Sequence, residues 1–496
     1  MRSAYKMKNY TRKEFLKLSS AAGAALLLNA CGIGSEEKGE REKEKVKKDT
    51  AKAIKSSVSD APNVHIDLVD KNDPRYDKLR QGFNKRIDKY PAVIALCTSA
   101  EEVAAAIKYA HEKNLPIAVK SGGHNMEGFS CNDGGMVINL SRMSMVEMLD
   151  DDKIRVGPGC TLGVLYDAIL PKGRLLPGGS CAGVGLGGLT LGGGYGLFSR
   201  KYGLTCDHLL EATMVDGNGN IHTTKDDVEL LWALKGGGNG NFGVVTEMVF
   251  TTHKAPATMQ AHHFKSVKLS SEKALSILQT WMEIAPQLPD SCFSGFVLNG
   301  STLNILITNY EYKDTTLQLL LDTLAKVMDE FHSSGQEVLS KKLKDYYGLP
   351  GPVYFRNSCA GLFRGFDDIK GYIGQVFDKI IHTPGMIYQI NTLGGKVKDP
   401  GFEKLSSFPH RAYDFVSELQ AYWEHPSQDK RLAEATTEIL KLTEQNDINR
   451  EYVNYCSLEF SNYETAYYGA NYTRLQAIKR KYDPDNHIQH PQNIKA

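Results

Sequence analysis

From residue 92 onward, apolar and polar positions follow two periods. Ala92-Val93-Ile94-Ala95-Leu96 is a continuous apolar run, as expected of a strand covered on both faces. Ser99, Glu101 and Glu102 then open a helix-period stretch through Val103, Ala106, Ile107 and Ala110, with the serine placed to accept from the first free N–H groups. Ile117-Ala118-Val119 predicts a second strand, and further strands are predicted at 136–140 and 154–156 with a short helix at 162–170. Strands at 212–215 and 221–223 flank the turn Asp216-Gly217-Asn218-Gly219. Beyond about residue 256 the pattern changes to longer helices, at 272–282 and 316–332, separated by alternating strands at 303–308 and 386–391. Phe415–Trp423 alternates throughout: Leu419, Ala421 and Trp423 form an apolar face, and Glu418, Gln420 and Tyr422 project oppositely, toward either a cleft or solvent. Tyr452-Val453-Asn454-Tyr455 also reads as a strand, with Tyr452 and Asn454 on one face. The sum is an α+β chain with one unit over 61–255 and a second over 256–450.

Glycine interrupts this pattern where chemistry is expected. The strand ending at Val119 leads into Ser121-Gly122-Gly123-His124-Asn125, and a second run spans Gly178-Gly179-Ser180-Cys181-Ala182-Gly183-Val184-Gly185. A third loop is Lys235-Gly236-Gly237-Gly238-Asn239-Gly240-Asn241-Phe242-Gly243. Glycine lets main chain approach a ligand closely and presents N–H donors to an anion, so the runs suggest a large anionic cofactor with a histidine and a cysteine at its edge. Taken singly, His124 reads rather as a turn histidine capping a carbonyl, and Cys181 as small buried filler; the paired glycine settings reverse that reading. Gly183-Val184-Gly185-Leu186-Gly187-Gly188 satisfies G-x-G-x-x-G, but it follows Pro177-Gly178-Gly179-Ser180 rather than a hydrophobic strand. Gly192-Gly193-Gly194 would end the helix that a Rossmann site needs. No glycine run ends in Gly-Lys-Ser/Thr, which excludes a P-loop.

Composition narrows the partners. Lys plus Arg number 59 against 58 for Asp plus Glu, so no bulk charge attracts nucleic acid. The nine cysteines form no CxxC pair and no cluster with histidine, which argues against a metal site and against a disulfide framework. Residues 1–31 read as an export signal: a basic start from Arg2 to Lys13, a short apolar stretch over 18–28, and Leu28-Asn29-Ala30-Cys31-Gly32, which resembles a lipobox with Cys31 as the lipidated residue. Residues 32–60 are a mixed-charge linker. The expectation is an exported bacterial protein, periplasmic or at the cell surface, that meets the membrane only through a lipid anchor.

Five motifs in order resemble the berberine bridge enzyme-like flavoproteins of the vanillyl-alcohol oxidase superfamily: Ser121-Gly122-Gly123-His124, the Cys181 segment with Gly192-Gly193-Gly194-Tyr195-Gly196, Trp232-Ala233-Leu234-Lys235-Gly236, Tyr452-Val453-Asn454-Tyr455, and Tyr482-Asp483-Pro484-Asp485-Asn486. The resemblance implies a two-subdomain PCMH-type FAD-binding domain over 61–255, a substrate domain with an antiparallel sheet, and a segment over 451–496 that returns to the first domain. It implies FAD attached to His124 and, as in many members, to Cys181. Ser121, Gly122, Gly123, Asn125, Gly185, Gly188, Tyr195, Gly196, Gly243, Val245, Asn454 and Asn486 would form the cofactor site. Val184 matches the position that controls dioxygen access, and its identity resembles oxidases. Tyr455 matches the catalytic tyrosine, and Glu418 and Gln420 are candidate substrate contacts. The expected activity is oxidation of an alcohol carbon in a sugar, oligosaccharide or other secondary alcohol, with O2 reduced to H2O2. A dehydrogenase with another acceptor and a non-catalytic surface binding lipoprotein are the alternatives.

Overall fold

The computed structural model describes residues 64–311 and 314–496; the export signal with Cys31 and the charged linker lie outside the described residues. A four-stranded sheet comes first, in the order Asp67–Val69, Val93–Leu96, Met136–Asn139, Ile117–Lys120. Its last three strands are parallel. The apolar run at 93–96 is buried throughout because both faces are covered: Val93 and Ala95 pack with Ala106, Ile107 and Ala110 of the helix Ala100–Glu112, and Ile94 and Leu96 with Val69 and Tyr76. Ser99 caps that helix, its Oγ accepting from Glu102 N at 3.2 Å, an interaction worth about 1 kcal/mol.

A five-stranded antiparallel sheet follows, in the order Val146–Met148, Lys153–Val156, Gly243–Thr251, Leu209–Asp216, Ile221–Thr223. The largest sheet has eight antiparallel strands. From Glu330–Ser333 it runs through Thr258–Ser266, Thr302–Asn309, Cys292–Asn299, Met386–Thr392 and Phe415–Trp423 to Tyr354–Phe363, and Glu337–Val338 also pairs with Thr258–Ser266. Its outer face packs on the helices Ser271–Ile284, Ile373–His382 and Asp429–Gln445, where Leu419, Ala421 and Trp423 join Trp281, Phe377 and Leu432 in one core. The opposite row, Glu418, Gln420 and Tyr422, faces a cavity.

Residues 451–496 fold back on the first sheet. Ile117 N donates to His487 O at 3.0 Å and Gln489 N to Ile117 O at 3.1 Å, beside the buried Lys479–Asp483 ion pair at 2.6 Å.

Two expectations are corrected. The helix predicted over 316–332 ends early, as Thr315–Ala325, and Glu330–Ser333 is an edge strand. Phe331 stacks on Phe264 at 4.4 Å there, so pairing with Thr258–Ser266 overrides helical propensity. The stretch predicted as a strand at 452–455 is a 3₁₀ turn, Val453–Tyr455, closed by Tyr455 N donating to Tyr452 O at 2.8 Å. The turn swings both tyrosine rings toward the same pocket, their centroids 5.0 Å apart.

Candidate active site

The two principal glycine runs meet backbone to backbone. A Cβ on Gly122 would lie 2.4 Å from Gly185 N, and one on Gly185 would lie 2.3 Å from Gly122 N. Glycine at these two positions therefore joins the loops, which was not the reason the sequence suggested. Gly188 differs, because nothing lies within 4 Å of the position its Cβ would take, and it lines the cavity. Ser121 Oγ donates to Pro158 O at 2.6 Å. Asn125 Oδ1 accepts from Phe129 N at 2.9 Å and Glu127 N at 3.1 Å, bracing the turn after His124.

The cavity, about 330 Å³, runs from the loops over 117–125 and 239–245 to the polar face of the large sheet. His124 and Cys181 both line it. Burial lowers His124 to about 4, so its imidazole is neutral, and its ring stacks on Phe83 at 4.3 Å. Cys181 keeps accessible surface because it faces the cavity; burial, then the Glu418 carboxylate, push its thiol up to about 11. Val184, Gly185, Gly196, Gly243 and Val245 also line the walls. Asn454 fixes the loop opposite: its Nδ2 donates to Leu189 O at 3.0 Å and to Tyr452 Oη at 2.9 Å, and Tyr452 Oη also accepts from Gly194 N at 2.9 Å.

At the floor, Tyr195 Oη donates to Glu418 Oε1 at 3.0 Å and lies 2.7 Å from Tyr455 Oη. With the Tyr195 hydrogen committed to the carboxylate, the Tyr455 hydroxyl donates to Tyr195. Asn391 Nδ2 donates to Tyr195 Oη at 3.0 Å and Glu418 Oε1 at 3.3 Å, and Asn357 and Gln420 donate to Glu418 Oε2 at 3.1 and 2.9 Å. No Lys or Arg lines the cavity among the described residues. Burial raises Glu418 above the usual carboxylate range, and burial with the Glu418 charge raises Tyr455 and Tyr195 well above an ordinary phenol. A standing phenolate at Tyr455 is thereby disfavoured, and the group suited to hold a proton is Glu418.

Two further placements change the sequence picture. Tyr195 lines the cavity and also belongs to this hydrogen-bonded line. Asn486 does not line the cavity: it adopts φ 52° in a turn, and its Oδ1 accepts from Asn493 Nδ2 at 2.6 Å. Sequence reasoning missed Asn357, Gln389 and Asn391 as wall residues, although Gln389 and Asn391 share the polar alternation of a strand it did predict. It also missed His490, which stacks on Phe129 at 4.8 Å.

The cavity lining suits FAD. Asn239 Oδ1 and His490 Nδ1 are buried without partners in residues that line the cavity, and Gly188 and Gly240 leave its wall open. With no cation on the walls, a diphosphate would be held by main-chain N–H groups of the glycine loops.

Comparison with known proteins agrees with this geometry. A family model described as "FAD binding domain" matches residues 91–225, and one described as "Berberine and berberine like" matches 451–495. The uncharacterized FAD-linked oxidoreductase YvdP of Bacillus subtilis (strain 168) is 30% identical over 441 residues, covering 86% of this chain and 97% of its own. Glucooligosaccharide oxidase of Sarocladium strictum is 27% identical, covering 85% of this chain and 90% of its own. Among solved structures, aclacinomycin oxidoreductase superposes with a TM-score of 0.79 at 26% identity, over 87% of this chain and all of that one. The fold is thus the α+β, PCMH-type FAD-binding architecture, and with both family segments matched and near-complete coverage of a relative, the chain belongs to the berberine bridge enzyme-like FAD-linked oxidoreductases.

Proposed function

We propose that this FAD-linked oxidoreductase takes a hydride from the carbinol carbon of a sugar, oligosaccharide or other secondary alcohol and passes the electrons to dioxygen, giving hydrogen peroxide. The observation that carries the reading is the hydrogen-bonded line from Tyr455 through Tyr195 to Glu418, whose three members all line the cavity. Bound FAD supplies the hydride acceptor. The Tyr455 oxygen accepts the proton of the substrate hydroxyl as its own proton moves to Tyr195 and that of Tyr195 to Glu418, a net transfer of one proton to the carboxylate. The donors around Glu418 keep it ionised against burial, and its raised affinity for a proton completes the step.

The substrate class is supported by the amide-rich floor of Asn357, Gln389, Asn391 and Gln420, able both to donate to and to accept from hydroxyl groups, and by the glucooligosaccharide oxidase among the relatives. His124 and Cys181, both at the cavity wall, are the attachment points in a bicovalent arrangement, and Val184 beside them is the gate for dioxygen. The basic start, the apolar stretch over 18–28 and Cys31 support export and lipid anchoring.

The test is a panel of mono- and oligosaccharides and secondary alcohols scored for peroxide release, with Tyr455→Phe as control. Mass spectrometry of the peptides carrying His124 and Cys181 accompanies it. Turnover that survives Tyr455→Phe, or flavin that reduces anaerobically only with substrates lacking a carbinol, would overturn the proposal.

A further inference from the structure

We propose that Phe83 is a positioning residue for covalent attachment of the flavin to His124, its ring setting the plane in which the imidazole meets the cofactor. The inference rests on the reading of His124 as an attachment point.

No hydrogen bond orients the His124 ring among the described residues. Its defined ring contact is Phe83, with centroids 4.3 Å apart and planes within 16°. On another side Gly183 closes in, since a Cβ there would lie 2.8 Å from His124 Nε2. A neutral imidazole with a phenyl ring across one face loses most of its freedom about χ2, and the stack does by packing what a hydrogen bond commonly does for a nucleophilic histidine.

Phe83 is itself held from three sides. Phe83 N donates to Gly123 O at 2.9 Å, beside the histidine, and a Cβ on Gly82 would lie 2.8 Å from the same oxygen. Lys120, at the end of the strand that launches the histidine loop, is buried, and its ammonium donates to Leu79 O at 2.7 Å and to Gln81 O. Val353 N donates to Phe83 O at 3.1 Å and Lys85 N to Val353 O at 2.8 Å, which ties the segment to the start of the substrate-sheet strand Tyr354–Phe363. Residues 79–85 are therefore a strap clamped between the two units, with one aromatic ring laid on the histidine. Lys120, buried and without a carboxylate partner among the described residues, is otherwise hard to account for: its ammonium serves main-chain carbonyls of the strap.

Attachment forms a bond between an imidazole nitrogen and the carbon of the flavin 8α-methyl. One proton leaves the imidazole and one the methyl, and the two electrons released reduce the ring until dioxygen takes them as peroxide. Orientation of the nitrogen toward that carbon is what the protein contributes.

The experiment uses the full chain carrying Cys181→Ala, so that His124 is the one remaining attachment point. At a fixed short time after induction, acid-precipitable flavin is measured against total bound flavin. Loss of the stack in Phe83→Leu or Phe83→Met is expected to lower the acid-stable fraction about three- to tenfold. Total bound flavin stays near that of the parent, and Phe83→Tyr, which keeps the ring, retains the parental fraction. An unchanged fraction in both Phe83→Leu and Phe83→Met overturns the proposal, as does equal loss of acid-stable and total flavin in both, which would mark Phe83 as a packing residue. If the parent holds no acid-stable flavin, or keeps it after His124→Ala, the attachment reading fails first and the proposal with it.

Discussion

Glu418 is a buried carboxylate held by neutral donors alone, and that sets its chemistry. An arginine or lysine partner would lower its proton affinity and end its use as an acceptor; amides and a phenol satisfy its oxygens while burial keeps the affinity raised. The rate should therefore rise with pH through a value above the ordinary glutamate 4.5, because the carboxylate form is the active one. Glu418→Gln is expected to lower kcat about 10²- to 10⁴-fold and to abolish that limb of the kcat/KM profile. Tyr455→Phe should lower kcat over a similar range with the flavin still bound, and anaerobic reduction rates measured by stopped flow would show whether the loss lies in the hydride step. At Val184 the expected split runs the other way. Val184→Leu should slow reoxidation of reduced enzyme by dioxygen and leave anaerobic reduction by substrate near its parental rate, and equal slowing of both half-reactions would deny it the role of a gate.

Elements show how differently two glycines of the cavity wall can act. Gly122→Ala puts a methyl against Gly185 N at 2.4 Å and must part the two loops, an overpacking expected to cost about 1–3 kcal/mol and to lower flavin content. Gly188→Ala, within the helix Leu186–Leu191, meets no protein atom within 4 Å and should raise stability by about 0.5–1 kcal/mol, yet it should still lose flavin because the methyl enters the cavity. Thermal unfolding and flavin absorbance on the two purified variants check both expectations. The sequence made much of this legible at the level of elements. Alternation along Phe415–Trp423 placed Glu418, Gln420 and Tyr422 on one face because a strand one residue out of register would bury a carboxylate among Trp281 and Phe377. Other parts were not legible, for definable reasons. Phe83 and His124 lie 41 residues apart and meet only through the strap. Four residues at 452–455 carry too little pattern to separate a 3₁₀ turn from a strand, so the face assignment of Tyr452 and Asn454 did not hold. Asn357 is one polar position in a strand, and its pairing with Gln420 across the sheet is a fact of topology rather than of local sequence.

Across the whole molecule, buried ionisable groups set a pH of greatest stability. His208, His410 and His490 are lowered to about 3, 4 and 3, each chiefly by burial, so the unfolded chain binds more protons than the native one from there up to about 6.5. Stability rises with pH across that interval. Glu451 acts with the opposite sign. Burial pushes it up to about 8; its Oε2 accepts from Gly361 N at 3.1 Å, the Cys359 thiol faces it, and Arg450 offers only a weak opposing field. Between about 6.5 and 8 the native chain keeps this proton while an unfolded glutamate has lost it, so stability falls by up to 1.4 kcal/mol per pH unit, about 2 kcal/mol in all. Glu418, raised in the same direction, adds to the decline. Because Glu451 joins the C-terminal segment to the bulge of the strand Tyr354–Phe363, ionising it loosens the junction that holds Tyr452 and Tyr455 beside the sheet. Denaturant midpoints followed by tryptophan fluorescence should peak near pH 6.5 and decline toward pH 8 in the parent. Glu451→Gln, which keeps the acceptor oxygen and removes the titration, should flatten the decline, and a slope between pH 6.5 and 8 as steep as that of the parent would show that the buried acid does not couple to unfolding.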